Sequence, residues 1–175
     1  MTTRLQIPTV TTDRLRLVPP SEVHIPGETA FWGDAERSRF AGGPIPAHRI
    51  WRHVATNLGH WALRGYGFWA LELHDGTHVG MAGLWHPGEW PEAEIGYNLY
   101  DGFGGKGYAT EAAVAARAHA FDKLGFERIA SFIHPDNIAS QAVARRIGGT
   151  RSGRTFRPNP DDTPVEIWHY ERSRP

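Results

Sequence analysis

Between Phe68 and Tyr100 the chain enters three strand-like runs with no room for a helix between them. "FWALEL" (Phe68 to Leu73) and "HVGMAGLW" (His78 to Trp85) are joined by "HDGT", whose Asp75-Gly76 pair is a strong hairpin turn. "PGEWPE" then leads into "AEIGYNLY" (Ala93 to Tyr100). A parallel pair needs a crossover of about a dozen or more residues, so these three strands must be antiparallel. The pattern then changes. "GFGGKG" (Gly102 to Gly107) opens into a helix, "YATEAAVAARAHAFDKL" (Tyr108 to Leu124), followed by a strand, "RIASFI" (Arg128 to Ile133). That makes one β-α-β crossover, which is right-handed. A meander carrying a single crossover commits the chain to an α/β fold. Its sheet is mixed and mostly antiparallel, with helices on both faces.

The flanking segments fit one domain spanning residues 1–175, with no internal repeat or linker. "RLRLV" (Arg14 to Val18) alternates as a strand does and stops at Pro19-Pro20. Ser21 to Asp34 reads as a helix broken or restarted at Pro26. From Ala47 to Leu63, Ile50, Trp51, Val54, Leu58, Trp61 and Ala62 recur at helical spacing. The helix at Tyr108 has a face of small residues, Ala109, Ala112, Ala113, Ala116 and Ala120, which lets it lie close to a sheet. Asn137 is an N-cap for a second helix, Ile138 to Ile147, stopped by Gly148-Gly149. The tail holds one or two strands, most clearly Pro164 to Arg172.

Composition removes several function classes. Lys plus Arg equals Asp plus Glu at 19 each, so no nucleic-acid or anionic-membrane partner is expected. There is no cysteine, which excludes thiol nucleophiles, disulfides and Cys-zinc sites. The ten histidines lack metal-ligand spacing, and His74 and His78, flanking a hairpin turn, read as exposed polar residues rather than ligands. No metal is expected. The first residues lack the apolar stretch of a signal peptide, and no run reaches the roughly 18 apolar residues of a membrane span, so a cytoplasmic protein is expected.

"GFGGKG" matches the dinucleotide pattern G-x-G-x-x-G letter for letter. Its context does not. A Rossmann domain places that loop in its first parallel unit, with an acid about 20 residues on, at the end of the next strand. Here the loop follows an antiparallel meander, Glu127 stands at the start of the strand, and Asp136 lies too far along. A P-loop fails because Gly107, not Ser or Thr, follows Lys106. The physics of an anion site remains: glycines that let backbone approach a phosphate, and free N–H groups at a helix N-terminus.

"GGKGYATEA" together with "NIASQAVARRIGG" resembles the GCN5-related N-acetyltransferases (GNAT), specifically the Rim-type branch that includes ribosomal-protein N-terminal acetyltransferases. "TTDRLRLVPP" and "AEIGYNL" are similar to the same branch, so the resemblance runs from Thr11 to Arg172. It implies that the anion is the pyrophosphate of acetyl-CoA, the cosubstrate. Backbone donors of Gly104, Gly105, Lys106, Gly107, Tyr108 and Ala109, with Thr110, would hold it. The strand Ile95, Tyr97, Leu99 would splay from the strand at Arg128 and pair with the pantetheine arm. Asn137 and Ser140 would stand at the far wall. One departure is plain: the family's loop opens on Gln or Arg where this chain has Gly104, which removes a side-chain contact.

Acetyl transfer to an amine needs a base for the ammonium, donors for the oxyanion and a proton for the leaving thiolate. Glu94 is the leading base and Glu166 a weaker competitor, while Glu111 reads as stabilising its helix N-terminus. The Tyr97 backbone N–H suits the oxyanion, and Ser140 falls where the Rim-type branch carries its serine acid. The acceptor is a primary amine, on a protein N-terminus or a small molecule. Asp34, Glu36, Asp161 and Asp162 lie on segments that build acceptor pockets in the family. A homodimer is compatible with the reading. The alternatives are a catalytically degenerate acetyl-CoA-binding module and a nucleotide-dependent oxidoreductase.

Overall fold

The computed structural model describes residues 5–172. One eight-stranded sheet runs in the order β1-β2-β3-β4-β5-β6-β8-β7. Its strands are β1 (Val10–Thr11), β2 (Leu15–Val18), β3 (Phe68–Leu73), β4 (His78–Trp85), β5 (Glu94–Leu99), β6 (Arg128–Ile133), β7 (Thr150–Phe156) and β8 (Val165–Glu171). Every neighbouring pair is antiparallel except β5 with β6. The helices are α1 (Ile25–Gly33), α2 (Ala35–Ser38), α3 (Ala47–Arg64), α4 (Tyr108–Asp122) and α5 (Ile138–Arg146). Among the described residues, no helix is long and apolar enough to cross a membrane.

The meander forms as its turns dictate. Asp75 Oδ1 accepts the Thr77 N–H at 2.9 Å, and Gly76 takes φ +87°, closing the β3–β4 hairpin. Helix α3 buries Ile50, Val54 and Trp61 on one stripe and ends at Gly65 in the left-handed conformation. Helix α4 places Ala112, Ala113, Ala116 and Ala120, all at 0% exposure, against the sheet. Methyl-sized side chains permit that close approach, and larger ones would overpack it.

Three details of the flanking segments have local causes. The helix restarts at Pro26, because that residue falls in the first turn of α1, where its missing N–H costs nothing; a short 3₁₀ turn (Glu22–His24) precedes it. The four-residue α2 was not expected. It exists because Asp34 accepts the Glu36 and Arg37 N–H groups at 3.0 and 3.1 Å. The tail contains two strands, and β8 rather than β7 lies against β6. Strand β7, "TRSGRTF", is mostly exposed and shifts register between Arg151 and Thr155, so it carries no clean alternation.

Candidate functional site

Strands β5 and β6 touch at one end only. Their parallel register is the single pair Glu94 and Ala130, supported by Ala130 N–H to the Ala93 carbonyl at 2.9 Å. The Ser131 hydroxyl then donates to the Ile95 carbonyl at 2.9 Å, and beyond it the strands part. The Tyr100 N–H donates to Val79 of β4 at 2.9 Å. In an antiparallel ladder, bonding direction alternates along the strand, so Tyr97 and Leu99 turn their N–H and C=O groups into the opening. Their groove encloses about 790 Å³ and is lined by Tyr97, Leu99, Gly104, Gly105, Gly107, Ala109, Thr110 and Ser140. At its head Gly102, Gly105 and Gly107 adopt φ of +78°, +74° and +85°. Gly107 is the N-cap of α4 and brings no side-chain cap, so the first N–H groups of the helix stay free for an anion.

Arg14, just before β2, fastens this loop to the sheet, a role not visible in the sequence. Its Nη1 donates to the Lys106 carbonyl at 2.8 Å and its Nε to Glu111 at 2.7 Å, while its guanidinium stacks 4.7 Å over the Tyr108 ring. Glu111 also accepts from Thr12 Oγ1 at 2.6 Å and from the Arg14 N–H at 2.8 Å. Burial pushes the Glu111 carboxyl up, but these donors and the Arg14 charge outweigh it and hold the pKa below its ordinary value. Glu111 thus ties α4 to β2 as well as standing in the first turn.

On the other side of β5 lies a cavity of about 290 Å³. Glu94, Gly96 and Asn98 alternate onto that face and line it. Gly96 has to be small, since a Cβ there would stand 2.6 Å from the Phe68 ring. Glu94 accepts a hydrogen bond from Trp90 Nε1 at 2.7 Å. Burial raises its carboxyl to about 7, opposed by the donors from Trp90 and the Phe132 backbone. Tyr97 borders both the groove and the cavity. Its hydroxyl donates to the Ser140 carbonyl at 3.3 Å, and burial pushes its phenol up to about 12. Glu94 therefore lines the cavity on the strand that carries Tyr97, the residue bordering both spaces, and is half-ionised near neutrality.

The remaining candidates are placed as follows. Asn137 caps α5 through the Ser140 N–H at 3.1 Å and borders the mouth between groove and α2. Ile95 is buried in the core, with its carbonyl taken by Ser131. Lys106 is exposed, its ammonium 5.3 Å from the Phe103 ring. Glu166 pairs with Arg151 at 3.3 Å and does not line the cavity. Asp34 and Glu36 are engaged with Arg37 and Arg39, and Asp162 accepts from Asn159 at 2.7 Å. None of these three acids lines the cavity.

His78 differs from the sequence reading: it is half-buried and meets Glu72 and His24, with potential ligand atoms within 4.8 Å of one another. The hydrogen bonds argue against a cation there. Ser21 N–H donates to His24 Nδ1 at 3.0 Å, which leaves the proton of a neutral ring on Nε2, pointing at Glu72 3.4 Å away. A metal would need that Nε2 lone pair. Arg16 at 3.7 Å already supplies Glu72 with a positive neighbour.

A mixed sheet split over a glycine-cradled helix N-terminus defines an acetyltransferase architecture. Residues 14–150 match the acetyltransferase (GNAT) domain family, and the chain belongs to it. An acetyltransferase structure from Agrobacterium tumefaciens is 35% identical, covers 98% of this chain and 99% of its own, and superposes with a TM-score of 0.87. The ribosomal L7/L12 alpha-N-protein acetyltransferase RimL, solved in complex with coenzyme A, shares the fold at 22% identity and TM-score 0.75, over 94% of this chain and 98% of its own. The "Putative ribosomal N-acetyltransferase YdaF" of Bacillus subtilis is 36% identical over 105 residues, 59% of this chain and 54% of that protein. The chain thus spans about half of that relative, and about a third of two other Bacillus subtilis relatives.

Proposed function

We propose that the protein transfers the acetyl group of acetyl-CoA to a primary amine by direct attack in a ternary complex. One observation carries the reading: a groove with a bare helix N-terminus at its head meets, at Tyr97, a separate cavity holding a half-buried carboxylate poised near neutrality. The pyrophosphate would lie on the N–H groups from Gly104 to Thr110, and the pantetheine arm along Tyr97 and Leu99. Glu94 takes a proton from the acceptor ammonium, directly or through water. The amine nitrogen then forms a bond to the thioester carbon, and the Tyr97 N–H stabilises the oxyanion. The C–S bond breaks, the thiolate takes a proton from Ser140 Oγ, which lines the groove, and the serine oxygen recovers a proton from the still-protonated nitrogen, leaving the neutral amide. No covalent enzyme intermediate is required, in keeping with a chain that has no cysteine. The Rim-type relatives favour acceptors that present a free amine, on a peptide or a small molecule. A cytoplasmic site of action belongs to the same reading.

The test is acetyl-CoA titration by calorimetry, with coenzyme A release measured on a panel of amines. Gly107→Val forces a β-branched side chain into a φ of +85° and toward Arg14 Nη2, which a Cβ would meet at 3.2 Å. Acetyl-CoA affinity should fall at least about tenfold, roughly 1.4 kcal/mol, with the fold retained by circular dichroism. Unchanged affinity in a folded variant would refute the placement of the pyrophosphate.

A further inference from the structure

Glu28, on α1, is a buried acid that acetyl transfer does not use. It is 1% exposed, yet it lines the same cavity as Glu94. Its Oε2 accepts from Trp32 Nε1 at 2.9 Å, and its Oε1 accepts from the Tyr100 hydroxyl at 2.9 Å and Asn98 Nδ2 at 3.4 Å. The arrangement is built with care. Gly27, the preceding residue, lets α1 lie on Tyr100, because a Cβ there would stand 2.3 Å from that ring.

All three donors are neutral, and together they favour the ionised carboxylate over the acid. Among the described residues, the one basic group within 4.0 Å of Glu28 is His53, with Nε2 at 3.8 Å. Burial holds that imidazole below its ordinary pKa, so it is uncharged at neutral pH. Burial also pushes the Glu28 carboxyl up, which measures the cost of a negative charge without a counter-ion. A carboxylate offers about four acceptor positions, and the protein fills three of them. Four aromatic residues, Trp32, Phe68, Trp85 and Trp90, share the wall with Ala41, Asn57 and Met81. Ring faces beside a buried carboxylate attract an ammonium group and offer little to a peptide amide.

The two acids stand apart along the cavity. Asn98, which holds Glu28, is four residues along β5 from Glu94, or about 13 Å of strand. A cavity of about 290 Å³ suits a small molecule rather than a folded chain end. We infer that the acceptor is a compact aliphatic dication, a short diamine, with one nitrogen acetylated beside Glu94 and the other kept as an ammonium by Glu28 and the rings around it. The inference rests on the transferase reading for the reacting end alone. The second ammonium is unchanged by the reaction, so the products are the mono-N-acetylated diamine and coenzyme A.

The test compares putrescine with n-pentylamine, which has the same length and a methyl group in place of the second ammonium, and with a short peptide bearing a free N-terminus. With acetyl-CoA saturating, wild type should prefer putrescine over n-pentylamine by about 100-fold in kcat/KM, and Glu28→Gln should collapse that ratio toward unity. A second readout needs neither turnover nor a variant. Three tryptophans line the cavity, so putrescine should give a saturable fluorescence change with the coenzyme A complex at concentrations where n-pentylamine gives none. Equal rates on both amines, or a faster rate on the peptide, would overturn the dication inference and leave the transferase reading standing. Selective putrescine binding with no amine acetylated would keep the inference and sink that reading. Selectivity for putrescine in neither readout would overturn the inference.

Discussion

Gly104 is the one glycine of the loop from Gly102 to Gly107 that the backbone does not demand. Its φ lies outside the left-handed region, and a Cβ there would meet nothing within 4 Å. It is also the position where the family's loop pattern opens on Gln or Arg. Gly104→Arg should therefore fold normally and put a guanidinium beside the pyrophosphate. Acetyl-CoA affinity should rise by about tenfold, roughly 1.4 kcal/mol by calorimetry. Unchanged or weaker binding would say that the phosphates lie elsewhere. Glu94 shows the opposite case, a residue whose surroundings set its chemistry. An exposed strand glutamate would titrate near its ordinary 4.5, whereas burial raises this one to about 7. A base with that pKa is partly ionised at neutral pH and still basic enough to take a proton.

At the scale of elements, β2 and α4 are held together by the chain's longest-range polar contacts at the groove. Arg14 and Glu111 are 97 residues apart and meet at 2.7 Å. Arg14→Lys keeps the charge but loses the fork that reaches both Glu111 and the Lys106 carbonyl. Amide exchange at Tyr108 to Glu111 should accelerate, and acetyl-CoA affinity should fall. Equal exchange in wild type and variant would mean the latch does not hold the loop. This pair also marks the limit of what the sequence discloses. The meander was legible because its connections are too short for anything but hairpins. The glycine loop was legible because strand, glycines and helix are contiguous, and Glu94 because its strand and alternation are local. Arg14, Glu28 and the hydroxyl of Tyr97 were not, since their partners lie 43 to 97 residues away. No local pattern encodes such meetings. Strand β7 was less legible than β8 for another reason, because an exposed strand beside a register shift buries no periodic face.

Over the whole molecule, Glu94 couples acidity to stability. Its folded pKa of about 7 lies above its ordinary 4.5, so the native state binds more protons than the unfolded chain between those values. The contribution is full below pH 4.5 and is lost as pH rises toward and through 7. A shift of that size corresponds to about 3 kcal/mol. Urea unfolding across that window should show wild type losing stability relative to Glu94→Gln as pH rises. Parallel curves would mean that Glu94 titrates normally. The proposed mechanism turns on Glu94, which lines the cavity, as the base that deprotonates the amine attacking acetyl-CoA. Its most direct test is the pH dependence of coenzyme A release in wild type and Glu94→Gln, on the best acceptor of the amine panel. Wild type should lose activity on the acid side with an inflection near pH 7. Glu94→Gln should turn over about 10²–10⁴-fold more slowly, lack that inflection, and bind acetyl-CoA as wild type does. A variant with wild-type turnover and the same acid-side inflection would show that Glu94 is not the base.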